Sequence, residues 1–387
     1  MRSTHALPFG SLRYSTGTGE LRPGANQQEA ATVATISARG GIEAALGYYG
    51  HLGRDDYYTR GAEPPGGWAG EGAAWLSLAG PVTRSDFDAA LKGIDPHTGA
   101  QLARLGGKGL SHAAGWDMTF SAPKSVSVLW ALSDARDRAG IEQAQGVAVA
   151  AATSHLERTA AFARRGKGGA VREPTAGLLL ARFDHHTSRE LDPQLHTHVF
   201  VFNLAPRRDG TWGAIVSREL YKVQKQAGAV YRAALAAELE RAGYAIERIS
   251  DNFRVSAIPR DVERAFSKRR QSIEAAAEAH GYQSPKGMEL AALRTRQPKR
   301  DVSREQLFEA WRTEARALGF ELSRADRQMG VREANVRPAV VSATPAATLR
   351  NGSARTEPRA PAVLGKLGTA ARTLDRHPGM PRVAVDL

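Results

Sequence analysis

The stretch FDHHTSRELDPQLHTHVFVF, Phe183 to Phe202, decides how the rest of the chain is read. Four of the eleven histidines lie in the fourteen residues from His185 to His198. Leu195 to Leu204 is apolar and β-branched and reads as a strand, so His196 and His198, two apart, share one face. Phe200 and Phe202 continue that face. Ala176 to His186 reads as a second strand, joined to the first by SRELDPQ, and an antiparallel return brings His185 alongside. Alternation puts Leu179, Ala181, Phe183 and His185 on one side and Arg182, Asp184 and His186 on the other. The first set is the more apolar and is taken as inward, which selects His185 over His186. Three neutral imidazoles converging there make a nest for a divalent cation with positions left open for a substrate oxygen. An isolated HxH pair on a strand is as often structural; the third histidine and the two phenylalanines on the same face favour metal.

Working outward, Ala31 to Ser37 has the β-branched character of a strand and Ile42 to Tyr49 the spacing of a short helix. The segment from Gly61 to Gly72 is dense in Gly and Pro and reads as a loop. A helix is expected from Ser121 to Leu132, with Ser121 as cap candidate and Pro123 in the first turn. A longer alanine-rich helix is expected from about Gly140 to Arg164, and further helices over 217–242, 259–280 and 303–318. Residues 1–30 read as a flexible extension and 326–387 as a basic, disordered tail. Between them, residues 31–325 form an α+β domain, as one unit or two tightly joined lobes.

The formal net charge is +13 over 387 residues, which points to a polyanionic partner such as nucleic acid. There is no cysteine. Disulfides, thiolate catalysis and Cys-ligated zinc are therefore excluded, and a reducing cytoplasm is the expected setting. No apolar run approaches the ~20 residues of a membrane span, and no signal peptide is legible at the N-terminus, so no membrane insertion is expected.

Four of the nine tyrosines fall in eleven residues: Tyr48, Tyr49, Tyr57 and Tyr58. On packing grounds alone they would be interfacial aromatics near Gly-rich loops. A phenol is also able to attack phosphorus and form a covalent phosphotyrosine, provided a base or a metal-organised site overcomes its ordinary pKa of ~10. Beside a histidine nest the chemical reading takes precedence.

These residues, with W-A-G-E-G-A (Trp68–Ala73), G-W-D-M-T-F-S-A-P-K-S-V-S (Gly115–Ser127), D-G-x-W (Asp209–Trp212) and F-S-K-R (Phe266–Arg269), resemble the TrwC/TraI-type (MobF) conjugative relaxases of the HUH endonuclease superfamily. The resemblance covers about residues 33–320 and implies a central antiparallel sheet flanked by helices. It also implies an enzyme that nicks one DNA strand at an origin of transfer by metal-assisted transesterification, leaving a 5′-phosphotyrosine, and later rejoins the strand. By resemblance Tyr48 makes the first attack, a tyrosine of the second pair, Tyr57 before Tyr58, serves the later transfer, and His185, His196 and His198 hold the metal. Asp117 would stand beside that site and orient a ligand. Lys124 and Arg189 adjoin these motifs and are candidate phosphate contacts, with solvated surface charge as the alternative.

Mg²⁺ or Mn²⁺ is expected in activity, with Zn²⁺ as an alternative occupant. No G-x-x-x-x-G-K-[ST] phosphate loop is present, so no helicase or ATPase activity is expected in this chain. A separate helicase and a type IV coupling and secretion system are the expected partners, besides single-stranded or hairpin DNA at the origin. Two other readings compete: a rolling-circle replication initiator, whose tyrosine typically follows its histidines, and an inactive regulator that binds origin DNA without cutting it.

Overall fold

In a computed structural model of the chain, residues 34–52, 65–103, 113–296 and 302–323 are described. Strand β1 (Ala34–Arg39) and helix α1 (Ile42–Leu52) open the fold, followed by β2 (Gly67–Ala69), α2 (Glu71–Trp75) and α3 (Arg84–Leu91). Next come β3 (Gly115–Ser121), α4 (Lys124–Leu132), the long α5 (Ala135–Ala160), and the short strands β4 (Phe162–Arg165) and β5 (Val171–Pro174). The two long strands β6 (Leu180–Thr187) and β7 (Pro193–Phe202) precede β8 (Ala205–Pro206), β9 (Trp212–Gly213) and α6 (Ser217–Arg241). A hairpin of β10 (Ile246–Ile249) and β11 (Asn252–Val255) leads into α7 (Arg260–Ala265), α8 (Lys268–Ala279), α9 (Pro285–Arg294) and α10 (Arg304–Ala317).

Five strands form one antiparallel sheet in the order β1-β3-β7-β6-β2. Because strand side chains alternate, each face buries a different core. On one face Met118, Phe120, Val199, Val201 and Leu180 pack against α4, α5, α6 and α10 through residues such as Trp130, Ile141, Leu156, Tyr231 and Trp311. On the other, Ala181, Phe183, Phe200 and Phe202 pack against Ala45 and Tyr49 of α1 and Phe87 and Leu91 of α3. Phe87 is the hub of this second core, its ring centroid 4.9 Å from both Phe200 and Phe202 and 4.4 Å from Tyr49. Full burial of each such phenylalanine is worth about 1.5–3 kcal/mol, so this face is firmly anchored.

Cross-strand register fixes what surrounds that anchor. Phe200 faces Asp117 and Ala181, His198 faces Thr119 and Phe183, and His196 faces Ser121 and His185. Arg39 and Ser37 continue the same face on β1, opposite Gly115 and Asp117. The face is thus apolar where α1 and α3 cover it and polar beyond. Gly115 permits this layout: a Cβ there would run into the Val201 carbonyl and the Phe200 ring.

Several expectations require correction. The Gly/Pro-rich segment expected as a loop contains β2, an edge strand paired with β6, and the start of α2. Ser121 is the last residue of β3, and Pro123, fixed at φ −51°, stands at the N-cap of α4 in its place. The long helix runs 135–160 and gives way to β4, whose Phe162 and Ala163 sit on a different backbone pattern. The helix expected over 259–280 is divided at Phe266 and Ser267 into α7 and α8.

Candidate active site on one face of the sheet

The three histidines meet where β6 and β7 run past the edge of the second core. His196 and His198 project from β7 and His185 from β6, directly opposite His196. Their ring centroids are 5.1–5.3 Å apart, and one ring nitrogen from each lies within 4.8 Å of the others. The register of β6 and β7 shifts between His185 and Thr187. His186 turns to the opposite face, where it stacks on Trp130 at 4.9 Å and 9° between planes.

Hydrogen bonds select which nitrogen His196 and His198 offer. The Gln194 carbonyl is an acceptor only, so His196 Nδ1–H donates to it at 2.8 Å and Nε2 keeps its lone pair. His198 Nδ1–H lies 3.0 Å from both carboxylate oxygens of Asp117, which holds the ring and leaves Nε2 as the nitrogen able to ligate a metal. Burial, with the neighbouring His198 charge, lowers the pKa of His196 to about 3, so it is neutral at physiological pH. Three imidazoles with ring nitrogens this close, His185 buried and His196 and His198 partly exposed, fit a divalent cation that keeps positions open.

Asp117 is buried at 3% exposure in the middle of β3. Besides His198 it accepts from Arg39 Nη2 at 2.7 Å and from the Tyr48 hydroxyl. Burial alone would raise its pKa, but the His198 imidazole, the Tyr48 hydroxyl and Arg39 outweigh that and hold the carboxyl at about 2. It is therefore a carboxylate at any physiological pH. Tyr48 is on α1, three residues from Ala45 and beside the inward row of Ala45 and Tyr49, so its ring tips off the apolar core onto the polar half of the face. Its hydroxyl is 3.2 Å from His198 Nδ1, and the Arg39 guanidinium lies 3.6 Å from its ring centroid.

The profile of the TrwC relaxase family matches residues 42–318 of this chain. The chain belongs to that family. Two curated relatives, the multifunctional conjugation proteins TraI of Escherichia coli and of its strain K12, are 34% identical over 295 residues. That segment is 73% of this chain but 16% of each relative, so the chain spans about a sixth of their length. Among solved structures, the conjugative relaxase TrwC in its metal-bound complex with oriT DNA is similar at TM-score 0.66 and 34% identity, over 75% of this chain and 100% of that one. TrwC with a 27-mer DNA comprising the recognition hairpin and the cleavage site is similar at TM-score 0.65 and 33% identity, with the same coverage.

The segment matched to the TrwC relaxase family contains Tyr48, Asp117 and the three histidines, which the fold brings together. Other expected site residues are placed differently. Tyr49 is a core residue: it stacks on Phe87, its hydroxyl donates to the Val82 carbonyl at 2.9 Å, and burial followed by Asp86 raises its pKa. It faces away from the histidines because it is one residue, about 100° of helix, from Tyr48. Lys124 is turned inward, donating to the Pro193 carbonyl at 2.8 Å to brace the start of β7, and burial lowers its pKa to about 8 despite Asp192 and Glu263 nearby. Arg189 lies half-buried in the turn between β6 and β7. Tyr57 and Tyr58 fall outside the described residues.

Two neighbours of the site escaped the sequence reading. Thr119 places Oγ1 3.0 Å from His198 Nδ1. Arg39 was lost because β1 was expected to end at Ser37; one further step of alternation along the strand puts it on the face of Ser37 and Asp117.

Proposed function

We propose that this chain is the DNA-nicking part of a conjugative relaxase, with Tyr48 as the nucleophile of strand cleavage at an origin of transfer. The observation that carries the reading is the Tyr48 hydroxyl hydrogen-bonded to Asp117 on the rim of the three-histidine nest. Tyr48 Oη attacks the scissile phosphorus, the bond from phosphorus to the 3′ oxygen breaks, and a 5′-phosphotyrosine and a free 3′-hydroxyl result. Asp117 orients the hydroxyl through the existing hydrogen bond; the phenol gives up its proton as the ester forms, and the departing 3′ oxygen takes one up. The ester retains the energy of the broken bond, so the reverse attack by a 3′-hydroxyl rejoins the strand.

His185, His196 and His198 would hold a divalent cation, which when bound polarises the phosphate and offsets the charge of the transition state. Mg²⁺ or Mn²⁺ is the activity-supporting ion in this reading, and Zn²⁺ is the tighter-binding competitor. Asp117 fixes the tautomer and tilt of His198 and aims the Tyr48 hydroxyl. Tyr57, with Tyr58 beside it, serves the later transfer.

The DNA partner is supported by a patch of exposed cations on two adjoining hairpins: Arg164, Lys167 and Arg172 around β4–β5, and Arg208 between β8 and β9. An ion pair between Arg165 and Asp209, 2.5 Å, ties the two hairpins together. Among the described residues no helix is long and apolar enough to cross a membrane. A cytoplasmic bacterial setting, a helicase acting with the relaxase and a type IV coupling system complete the proposal. Both tyrosine pairs precede the histidines, which favours the relaxase over a rolling-circle initiator.

The test is a denaturing gel of origin-bearing supercoiled plasmid incubated with the protein and Mn²⁺ or Mg²⁺. A covalent protein–DNA adduct that requires metal and vanishes in Tyr48→Phe is expected. An adduct that persists in Tyr48→Phe would assign the chemistry to another tyrosine, and tight binding with no adduct would favour the DNA-binding regulator.

A further inference from the structure

The Arg39 guanidinium is in direct contact with both Tyr48 and Asp117. Its Nη2 donates to Asp117 Oδ2 at 2.7 Å, the oxygen that also accepts the Tyr48 hydroxyl. The same guanidinium lies over the Tyr48 ring, 3.6 Å from its centroid. Arg39 is the last residue of β1, and its register partner is Gly115. The side chain is about a quarter exposed, at 26%, against 3% for Asp117.

We propose that Arg39 is a positioning residue for the attacking tyrosine: its planar fork clamps the Tyr48 ring from above while holding Asp117, so that hydroxyl, carboxylate and histidine nest keep one relative arrangement. The inference rests on the reading of Tyr48 as the nucleophile. Tyr48 is carried by α1, whereas Asp117 and His198 are carried by the sheet, so their mutual placement depends on whatever spans helix and sheet at this point. Tyr48 meets the sheet through its hydroxyl, shared between Asp117 and His198, and through an edge contact with the His198 ring. The Arg39 guanidinium adds a contact on the face of the ring, which fixes its tilt. Between the two permanently cationic side chains, only the guanidinium combines a flat surface for an aromatic ring with in-plane donors for a carboxylate. A lysine ammonium at this position would retain charge and could reach either group, but as a point charge it would not do both.

Loss of such a clamp acts on attack geometry rather than on affinity, and misplacement of a reacting group by an ångström costs on the order of 10²-fold in rate. Single-turnover nicking by Arg39→Gln is therefore expected to slow by about 10²-fold, with affinity for an origin oligonucleotide changed less than about threefold. Arg39→Lys should recover only a small part of the rate. Mn²⁺ affinity of both variants should fall less than the roughly 10–100-fold expected when Asp117 itself is replaced, showing that the nest remains assembled.

A second readout needs neither DNA nor metal. In protein carrying fluorotyrosine, the ¹⁹F resonance of Tyr48, assigned by its disappearance in Tyr48→Phe, should shift and sharpen in Arg39→Gln as the ring is released. An unchanged resonance, or a wild-type nicking rate in Arg39→Gln, would overturn the proposal. So would parallel losses of rate and DNA affinity, which would make Arg39 a phosphate contact, or full rescue by Arg39→Lys, which would reduce its role to charge. If Arg39→Gln does not fold, Arg39→Lys alone decides between these outcomes. If the wild type forms no adduct on any origin DNA, the nuclease reading fails, while the fluorine measurement still reports on the clamp.

Discussion

Asp117→Asn is the substitution that most directly tests how the site is held. The side chain keeps its shape but loses its charge, and one of its two oxygens becomes a donor. In the metal-free protein the carboxyl pKa is held at about 2, against an ordinary value of 3.8, which corresponds to roughly 2.5 kcal/mol of folding stability. A carboxylate with a depressed folded pKa contributes this stability above the unfolded value and loses it as pH falls, so the wild type should lose it between about pH 4 and pH 2. The variant should start lower at pH 7 by that amount, a fall of roughly 4–8 °C in Tm for a domain of this size, and should show no such loss in that window. Because Asp117 fixes the His198 tautomer, its replacement should also weaken Mn²⁺ binding by about 10–100-fold. Calorimetric titration with Mn²⁺ at pH 7 and thermal melts from pH 7 to pH 2 are the assays. A variant that binds Mn²⁺ as well as the wild type and melts in parallel with it at every pH would refute the reasoning.

Three further outcomes follow from the same geometry. Tyr49→Phe removes only the hydrogen bond to the Val82 carbonyl, so stability should fall by about 1 kcal/mol while nicking continues, in contrast to Tyr48→Phe. His185→Ala should abolish stoichiometric Mn²⁺ binding, whereas His186→Ala should preserve it and lower Tm through loss of the Trp130 stack; calorimetry and thermal melts separate the two. Lys167→Ala and Arg208→Ala should each weaken origin binding across DNA sequences, and each should reduce the slope of log affinity against log salt by about 0.7–0.9 if it contacts a phosphate; unchanged slopes would move the DNA path elsewhere.

What the sequence made legible was governed by strong periodicity. The β6–β7 pair, the helices at 217–241 and 304–317, and the placement of His185 rather than His186 beside His196 and His198 all follow from spacing that tertiary context did not override. What it concealed lay where local preference and global role conflict. Strand β3 sits in the sheet between β1 and β7, yet no strand was expected there, because Gly115 and Asp117 are poor strand formers. Gly115 is present because the Phe200 ring and the Val201 carbonyl occupy the volume of a side chain, and Asp117 is present to hold His198, Tyr48 and Arg39. Both residues cost the strand propensity for reasons outside the strand, and sites are where such conflicts concentrate.

The same logic separates Tyr48 from Tyr49. The doublet reads as two equivalent phenols, and no local rule distinguishes them; only the angle between consecutive residues of α1, set against a face that is apolar at Phe87 and Phe200 and polar at Asp117 and His198, sends one ring into the core and the other to the site. The second core therefore does more than stabilise the domain. By fixing Tyr49 against Phe87 and the Val82 carbonyl it sets the rotation of α1, and with it the position of the Tyr48 hydroxyl. On this argument Phe87→Ala, a cavity mutation worth about 3–5 kcal/mol, should slow nicking more than its loss of folded protein explains, and Phe87→Leu should restore stability ahead of rate. Equal recovery of both in Phe87→Leu would show that α1 keeps its rotation without the aromatic hub.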